Sequence, residues 1–495
     1  MNYYRILILI FILFMTKTVL SQDEKLDRSK PPAPKPPKDI QFPDYVDTTL
    51  AKSGINLLLI ENHKVPSVSI RLVFKDAGSY FDGDNYGVSS FTAELLTKGT
   101  KTRSALQIAD EIDFYGGSIS SGSDWDGSYI SLSILKKHLD KVIDVLADVV
   151  INPVFAEEEL NRTKDQRISS IIQNKDDAGA LSDKMFNKVI FGSSPYAHPS
   201  EGTEESIKNI TRADIVDFYQ KHYCPNKLIL AFVGDITRDE ASSIIDEHFS
   251  NWKEKCFETE LTFQIETFST DEKSTKNLRK NIQYNSKTIY IVDKPGAVQS
   301  NFRIGHVGIE RNNPDFIAVS VMNTILGGYF GSRINLNLRE KHGFTYGARS
   351  GFTARIHPGD FSVDADVRNE VTDTSVRLVK EELNRIVNEE VTNDELQTVK
   401  NYLTGIFPLQ LETPNAVATR VINLKQYGLP KNYYSTYISN VNKLTKKDIL
   451  EAAKKYIKPD NLYVVISGNA KTIKDKLTKM GDVEIYDVDG KRISN

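Results

Sequence analysis

The sequence predicts an α+β protein made of two duplicated sandwich domains, each with one sheet that carries helices on one face. Three observations support this fold class. A chain of 495 residues exceeds what a single hydrophobic core accommodates. A series of residues recurs at a constant offset, and strand patterns alternate with pairs of helix patterns in both copies. Two such domains in one chain can face each other and enclose a chamber.

The duplication is visible in the residues themselves. The motif Thr-x-x-Asp-Ile stands at 211–215 and again at 445–449, and in both copies it is a capping signal at a helix start. The later members of the series are Lys221, Pro225, Leu228 and Gly234, which recur as Lys455, Pro459, Leu462 and Gly468. Every pair is 234 residues apart, as from 211 to 445. An opening hairpin repeats at an offset of 232, with Ile60 and Arg71 matched to Val292 and Arg303.

The order of elements follows from residue periodicity. Each half reads as two strands, a helix, two strands, long helices, and then a helix with a final strand. The predicted strands of the first half are Ile55–Ile60, Ser67–Phe74, Gly117–Ser121, Tyr129–Ile134 and Leu228–Val233. The predicted helices are Ser104–Tyr115, Lys137–Val149 and Glu157–Gln173. The domains therefore fall at 42–255 and 288–495, joined by a polar linker over 256–287.

The first residues read as an export signal. Arg5 precedes the apolar run Ile6–Met15, which is too short to span a bilayer, and Val19-x-Ser21 offers a cleavage site. Residues 1–21 are therefore predicted to be a signal peptide, with an uncleaved anchor as the alternative. A proline-rich spacer follows over 22–41. We expect an exported protein, in the periplasm rather than the extracellular medium, with no membrane contact in the mature form.

The charge balance and the cysteine and histidine content limit the classes of ligand that the chain is expected to bind. The 63 basic and 66 acidic residues give a net charge of −3, which argues against a nucleic-acid partner bound through bulk charge. The two cysteines, Cys224 and Cys256, lack metal-ligand spacing. Two free or buried thiols are favoured, with a disulfide in an oxidising compartment as the alternative. None of the eight histidines stands three or four residues from another on a plausible helix, so the histidine spacing indicates no helical metal site.

Gly87–Thr100 reads as a short helix with Phe91, Leu95 and Leu96 on its apolar face, ending at a Gly-Thr stop. This stretch resembles the His-x-x-Glu-His helix of the pitrilysin/insulinase peptidase family and of the mitochondrial-processing-peptidase-like proteins. The resemblance places the two histidine ligands at Ser90 and Glu94, the base at Ala93, and the distal glutamate ligand at Ser170. The resemblance also implies a half-clam fold. Because these residues cannot hold zinc or activate water, it implies that this chain has no zinc of its own.

A second signature lies in the second half, where Gly327-Gly328-Tyr329-Phe330-Gly331 leads to Leu-Arg-Glu at 338–340 and Gly-x-x-Tyr at 343–346. From the residues alone, Arg339 complements a helix end, Gly343 breaks the helix, and Tyr346 is a core residue that opens a strand. The segment resembles the family's C-terminal-domain signature. That resemblance implies that Arg339 and Tyr346 grip the substrate backbone and support the oxyanion, and that Gly327, Gly328 and Gly331 contribute to substrate binding.

The resemblance implies that this chain is the substrate-binding, oxyanion-supporting subunit of a heterodimeric endopeptidase that degrades or processes peptides. Arg339 and Tyr346 are then expected to act in trans on an unfolded peptide substrate. The zinc is expected in a homologous partner subunit. One alternative is a non-catalytic peptide-binding or scaffold subunit. A second is a self-sufficient peptidase with non-standard metal ligands.

Overall fold

The computed structural model describes residues 42–252, 256 and 284–494. The predicted signal peptide, the proline-rich spacer and most of the predicted linker lie outside these residues. Within the described ranges, no helix combines the length and the apolar character that crossing a membrane requires.

The first half contains a six-stranded sheet in the order β1-β2-β6-β3-β5-β4. Its strands are β1 Val46–Thr49, β2 Asn56–Glu61, β3 Ser67–Lys75, β4 Ser118–Ser123, β5 Gly127–Leu135 and β6 Leu228–Gly234. The second half contains a seven-stranded sheet in the order β13-β12-β7-β11-β8-β10-β9. Its strands are β7 Thr288–Asp293, β8 Gln299–Val307, β9 Ala348–Thr353, β10 Asp360–Arg368, β11 Tyr463–Gly468, β12 Asp482–Tyr486 and β13 Arg492–Ser494.

The two sheets repeat the same pairing down to the register. Arg71 of β3 pairs with Ala231 of β6, and the matched Arg303 of β8 pairs with Val465 of β11, which is 234 residues after Ala231. The parallel pairs β2–β6 and β7–β11 correspond in the same way. The predicted duplication and the α+β fold class are therefore confirmed, with two sheets in two domains.

Helices connect these strands. The helices of the first half are α1 Val88–Leu95, α2 Ala105–Phe114, α3 Leu139–Ile151, α4 Glu157–Asn174, α5 Ala178–Phe191, α6 Glu204–Asn209, α7 Arg212–His222 and α8 Arg238–His248. Those of the second half are α9 Phe316–Asn323, α10 Arg333–Asn335, α11 Thr372–Asn388, α12 Asn393–Ile406, α13 Pro414–Gln426, α14 Tyr437–Lys443, α15 Lys446–Tyr456 and α16 Ala470–Leu477. Two π-helical segments, Thr324–Gly328 and Leu336–Lys341, continue α9 and α10. The predicted capping motifs of α7 and α15 are both formed, at Thr211 and Thr445.

Each sheet packs one face on the helices of its own half and the other face on a helix from the opposite half. Helix α5 of the first half contacts β8 and β11 of the second sheet, where Phe186 and Val189 share a buried cluster with Val465. Helix α13 of the second half contacts β3 and β6, where Val421 joins Ile229. Burying each such side chain stabilises the fold by about 1.5–3 kcal/mol. This exchange of helices was not predicted, and it covers the second face of both sheets.

The structure corrects the expectation of two free thiols. Cys224 follows α7, and a disulfide joins it to Cys256, with the two Cα atoms 5.8 Å apart. Asn226 brings the chain back to this point, because its Nδ2 donates to the Cys256 carbonyl oxygen (3.0 Å) and its Oδ1 accepts from the Cys256 N–H (3.3 Å). Cys224 is fully buried and Cys256 nearly so.

Replacing both cysteines by alanine should lower the free energy of unfolding by about 2–4 kcal/mol, because the bridge closes a loop with a sequence separation of 32 in the unfolded chain. Urea denaturation under oxidising conditions measures the difference. A reductant should lower the stability of the unsubstituted protein to that of the variant and leave the variant unchanged. Equal stability of the two proteins under oxidising conditions would contradict the prediction.

Asp126, in the turn between β4 and β5, ties the two halves together. Its Oδ1 accepts from the Tyr196 hydroxyl (3.0 Å), and its Oδ2 accepts from the backbone N–H of Ile356 in the second half (3.1 Å). Burial, followed by the charge of Asp124, raises the pKa of Asp126 to about 6. The folded state therefore binds more protons than the unfolded state between about pH 4 and 6, and the free energy of unfolding falls as the pH rises through that window.

Asp126→Asn should remove this fall, because an amide cannot ionise but retains an acceptor for Ile356 and a donor for Tyr196. We expect the variant to gain on the order of 1–3 kcal/mol relative to the unsubstituted protein on going from pH 4.5 to 7.5. Only the difference between the two proteins is informative, since burial lowers the pKa of His306 to about 4 and produces the opposite slope. Asp84→Asn, at an exposed site, is the control. Parallel pH profiles for Asp126→Asn and the unsubstituted protein would refute the expectation.

Candidate functional site

The position of α1 is set by a buried carboxylate at its N-terminus. Asp82 accepts from the backbone N–H of Gly87 (2.6 Å) and of Ser89 (3.0 Å), and burial raises its pKa to about 7. Gly87 has φ +94°, and a Cβ there would lie 2.9 Å from the Glu201 carbonyl oxygen. Only glycine fits this start, so the helix begins where the sequence predicts. Gly99, with φ +135°, ends the turn that follows the helix.

Ser90 and Glu94 are four residues apart on α1 and project from one face. Arg167 of α4 contacts both of them, since its Nη1 donates to Ser90 Oγ (2.8 Å) and its Nη2 forms an ion pair with Glu94. The same guanidinium lies over the ring of Phe91, with Cζ 5.1 Å from the centroid, and is 18% exposed. We call Ser90, Glu94 and Arg167 the metal-position cluster.

The cluster leaves no chemistry for water activation. Ala93, at the predicted base position, is fully buried and carries only a methyl group. Ser170, at the predicted third ligand position, is exposed on α4 one turn after Arg167. Across residues 42–252, 256 and 284–494, no group of three His, Cys, Asp or Glu residues could hold a metal ion. A guanidinium neutralises Glu94 in this cluster, but it cannot coordinate or polarise water as zinc does.

The glycine-rich segment of the second half is shaped by packing. Gly327 is buried at the end of a π-helical turn, and a Cβ there would lie 2.3 Å from the Ser350 hydroxyl oxygen of β9. Gly331 lies under the ring of Tyr329, which a Cβ would approach to 2.9 Å. Gly328 is exposed. Gly327 and Gly331 thus let the loop approach its neighbours closely, and the role of the three glycines in substrate binding stays a prediction.

Arg339 and Tyr346 lie at the solvent surface. The Arg339 guanidinium stacks on Phe330, with Cζ 4.4 Å from the ring centroid, and its nearest carboxylate is Glu340 at 3.7 Å. Gly343, with φ +61°, breaks the helix as predicted. Tyr346 precedes β9 by two residues and is 93% exposed, so the interpretation of Tyr346 as a core residue is wrong. Among the described residues, no hydrogen bond joins Arg339 to Tyr346, and both can donate to a ligand from outside the chain.

Comparison with known proteins identifies the family. Residues 56–203 match the profile described as "Insulinase (Peptidase family M16)", and residues 209–403 match the one described as "Peptidase M16 inactive domain". The chain belongs to the M16 insulinase family.

Related M16 proteins carry different descriptions. A Helicobacter pylori protein named "Non-peptidase homolog YmxG" is 27% identical over 86% of this chain and 94% of its own length. A Rickettsia felis protein named "Uncharacterized zinc protease" is 24% identical over 84% of this chain and 96% of its own length. A solved structure described as a peptidase M16 inactive domain from Pseudomonas fluorescens matches with a TM-score of 0.77 and 27% identity, covering 86% of this chain and 98% of that chain.

Within this M16 chain, Arg167 is the site residue that sequence reasoning missed. Its signal is its spacing from Ser170, since residues three apart on a helix share a face. An arginine one turn before the vacant ligand position is therefore well placed to reach the vacant positions on α1. The guanidinium of Arg167 contacts Ser90 and Glu94, which stand at the M16 ligand positions, and this arrangement fits a chain without zinc of its own.

Proposed function

We propose that this M16 chain is the substrate-binding, oxyanion-supporting subunit of a two-subunit endopeptidase, whose homologous partner bears the zinc. One observation carries the proposal. Arg167 fills the metal-position cluster of this chain, while Tyr346 is exposed and Arg339 is partly exposed at the surface. The chain thus keeps the hydrogen-bond donors that its family uses on substrate and lacks the ligands for a metal.

The two side chains suit an anionic tetrahedral intermediate. Arg339 offers guanidinium N–H donors, and Tyr346 offers a phenol O–H. Donors aimed at developing negative charge stabilise the transition state more than the ground state. Phe330 holds the Arg339 side chain from below by cation–π stacking, which limits its rotamers before substrate arrives. The zinc of the partner would supply the activated water.

The surroundings of these donors suit an extended peptide. Phe330 is 66% exposed and Leu336 is 44% exposed, close in sequence to Arg339. Exposed apolar side chains grouped around polar donors are typical of surfaces that bind another chain. A peptide that accepts from Arg339 would pass the exposed ring of Phe330, on which the guanidinium stacks.

Two features support export of the chain to the periplasm as part of this proposal. The disulfide between Cys224 and Cys256 is typical of oxidising compartments. The predicted signal peptide at 1–21 directs the chain to such a compartment. The periplasm provides both the oxidising environment and access to unfolded exported peptides.

Co-expression with a zinc-bearing M16 homologue from the same genome tests the proposal. We expect a one-to-one complex on size-exclusion chromatography, since obligate interfaces bury on the order of 2,000 Å² or more. The complex should cleave an unfolded peptide faster than the homologue alone. Two separately eluting monomers at micromolar concentration would overturn the proposal. A complex without any gain in cleavage would favour the scaffold alternative.

A further inference from the structure

A cavity of about 370 Å³ lies between the two halves of the chain. Helix α5 and the loop at Ser200 line it from the first half, and the ends of β9 and β10 line it from the second half. Its charged lining residues are Asp183, Lys184, Glu201, Arg303, Arg355 and Asp360. The carbonyl oxygen of Glu201 also accepts from Arg167 Nη1 (3.4 Å). Glu201 therefore lines the cavity and also contacts the metal-position cluster.

Arg355 is the unusual member of this lining. Its guanidinium packs against the rings of Trp125 and Tyr196, with Cζ 4.6 Å from each ring centroid, and the residue is only 7% exposed. Its Nε and Nη1 atoms have no hydrogen-bond partner, and no described carboxylate lies within ion-pairing distance. Buried guanidinium groups in proteins are normally hydrogen-bonded or paired, because an unpaired buried charge is costly. Because Nε and Nη1 are shielded from solvent, a ligand in the cavity can reach this guanidinium only through Nη2.

The charges of Asp124, Asp126 and Asp360 act on Arg355 from beyond ion-pairing distance, and all three carboxylates accept hydrogen bonds from other groups. Asp124 accepts from the backbone N–H groups of Asp126 (2.8 Å) and Gly127 (3.0 Å). Asp126 accepts from Tyr196 and Ile356, and Asp360 accepts from the Ser362 hydroxyl (3.1 Å). Asp183 pairs with Arg303 at 3.2 Å.

Lys184 lines the same cavity and has no ion pair with any described carboxylate, and burial lowers its pKa. Arg355 and Lys184 thus lack a direct ion pair, although carboxylates at longer range act on both, and each can pair with an anion from outside the chain.

We propose that this cavity binds the C-terminal carboxylate of a peptide, through Arg355 and Lys184. The inference rests on the proposed function, since it assigns one end of the same peptide. Arg355 Nη2 and the Lys184 ammonium can each donate a charge-assisted hydrogen bond to one carboxylate oxygen. The cavity volume suits the end of a chain, and Trp125 forms an apolar wall for the last side chain. The acidic lining residues Asp183, Glu201 and Asp360 disfavour a dianion, so a phosphate is a poorer occupant than a carboxylate.

The test uses the full chain and one short unstructured peptide in two forms, the free acid and the C-terminal amide. Binding is followed by tryptophan fluorescence. The chain has two tryptophans, and Trp125 lines the cavity while Trp252 does not. We expect the free acid to bind about 10- to 100-fold more tightly than the amide. The fluorescence change should persist in Trp252→Phe and be lost in Trp125→Phe.

Variants identify the residues. Arg355→Gln and Lys184→Gln should each reduce the preference for the free acid. Arg311→Gln should leave it unchanged, because Arg311 also stacks on aromatic rings, those of Phe316 and Tyr433, but does not line the cavity. If Arg355→Gln does not fold, Lys184→Gln alone decides the matter.

Equal affinities for the acid and the amide overturn the carboxylate site and leave the proposed function standing. Failure of both forms to bind overturns the site and also counts against peptide binding by this chain. Inorganic phosphate that displaces the free acid more effectively than acetate does overturns the assignment to a carboxylate.

Discussion

Restoring the M16 ligands at the four degenerate positions should give a zinc site only when Arg167 is removed as well. The quadruple change is Ser90→His, Ala93→Glu, Glu94→His and Ser170→Glu, and the quintuple variant adds Arg167→Ala. In the unsubstituted chain, the Arg167 guanidinium bonds to both Ser90 and Glu94, so it occupies the space between the two ligand positions on α1. A fixed positive charge a few ångströms from a divalent cation costs several kcal/mol.

The expected difference is large. The unsubstituted chain and the quadruple variant should hold no stoichiometric zinc. The quintuple variant should bind zinc at least about a thousandfold more tightly than the quadruple variant, which corresponds to roughly 4 kcal/mol. Elemental analysis of the purified proteins and competition with a chromogenic chelator measure both quantities. Arg162→Ala, which removes another arginine of α4 from the quadruple background, is the matched control.

Two results would contradict this reading of the cluster. One is a tightly held zinc in the unsubstituted chain that is lost on Glu94→Ala. The other is equal zinc affinity for the quadruple and quintuple variants, which would mean that Arg167 does not obstruct the site. The fully buried Ala93 makes glutamate at that position a tight fit, so circular dichroism should accompany each measurement.

The helix that carries the degenerate metal positions could be predicted from the sequence, because its start, its end and its apolar face depend on neighbouring residues. The Gly-Thr stop, the apolar positions Phe91 and Leu95, and the capping motif of α7 each depend on a few neighbouring residues. The repeat also extends to the strand register, which the sequence analysis did not predict, since Arg71 and Arg303 pair with residues that are themselves 234 apart. Local patterns of this kind can be recognised in a single sequence before a structure is known.

What the sequence did not predict depends on tertiary contacts. The exchange of α5 and α13 between the halves has one sequence signal, the unbroken apolar run of β6, which is buried at every position. The disulfide joins distant parts of the sequence. Asn226 holds Cys256 next to Cys224 through a hydrogen bond that residue spacing does not reveal. Tyr346 likewise lies two residues before β9 and is exposed, which the sequence pattern did not predict.

The Arg339 and Tyr346 donors give the sharpest distinction between an enzyme subunit and a scaffold. In the reconstituted complex, Arg339→Ala or Tyr346→Phe should leave assembly intact and lower kcat by about a hundred- to a thousandfold. This corresponds to the loss of about 3–4 kcal/mol of transition-state stabilisation for one oxyanion donor. KM should change far less, because the donor acts on charge that develops only in the transition state.

Because Tyr346 is exposed and Arg339 is partly exposed, a structural explanation is testable in the same sample. Tyr346 is 93% exposed, so deleting its hydroxyl should not change the melting temperature of the complex. Arg339→Ala removes a stack on Phe330, which at an exposed site contributes only about 0.5–1 kcal/mol. Tyr402→Phe and Arg377→Ala, at other exposed positions of the second half, are matched controls and should keep full activity. A structural role predicts the reverse pattern, with lower thermal stability, poorer assembly, and activity that falls only as folded complex is lost. Variants at 339 and 346 that assemble normally and cleave at the unsubstituted rate would exclude the Arg–Tyr mechanism and leave the scaffold as the better account.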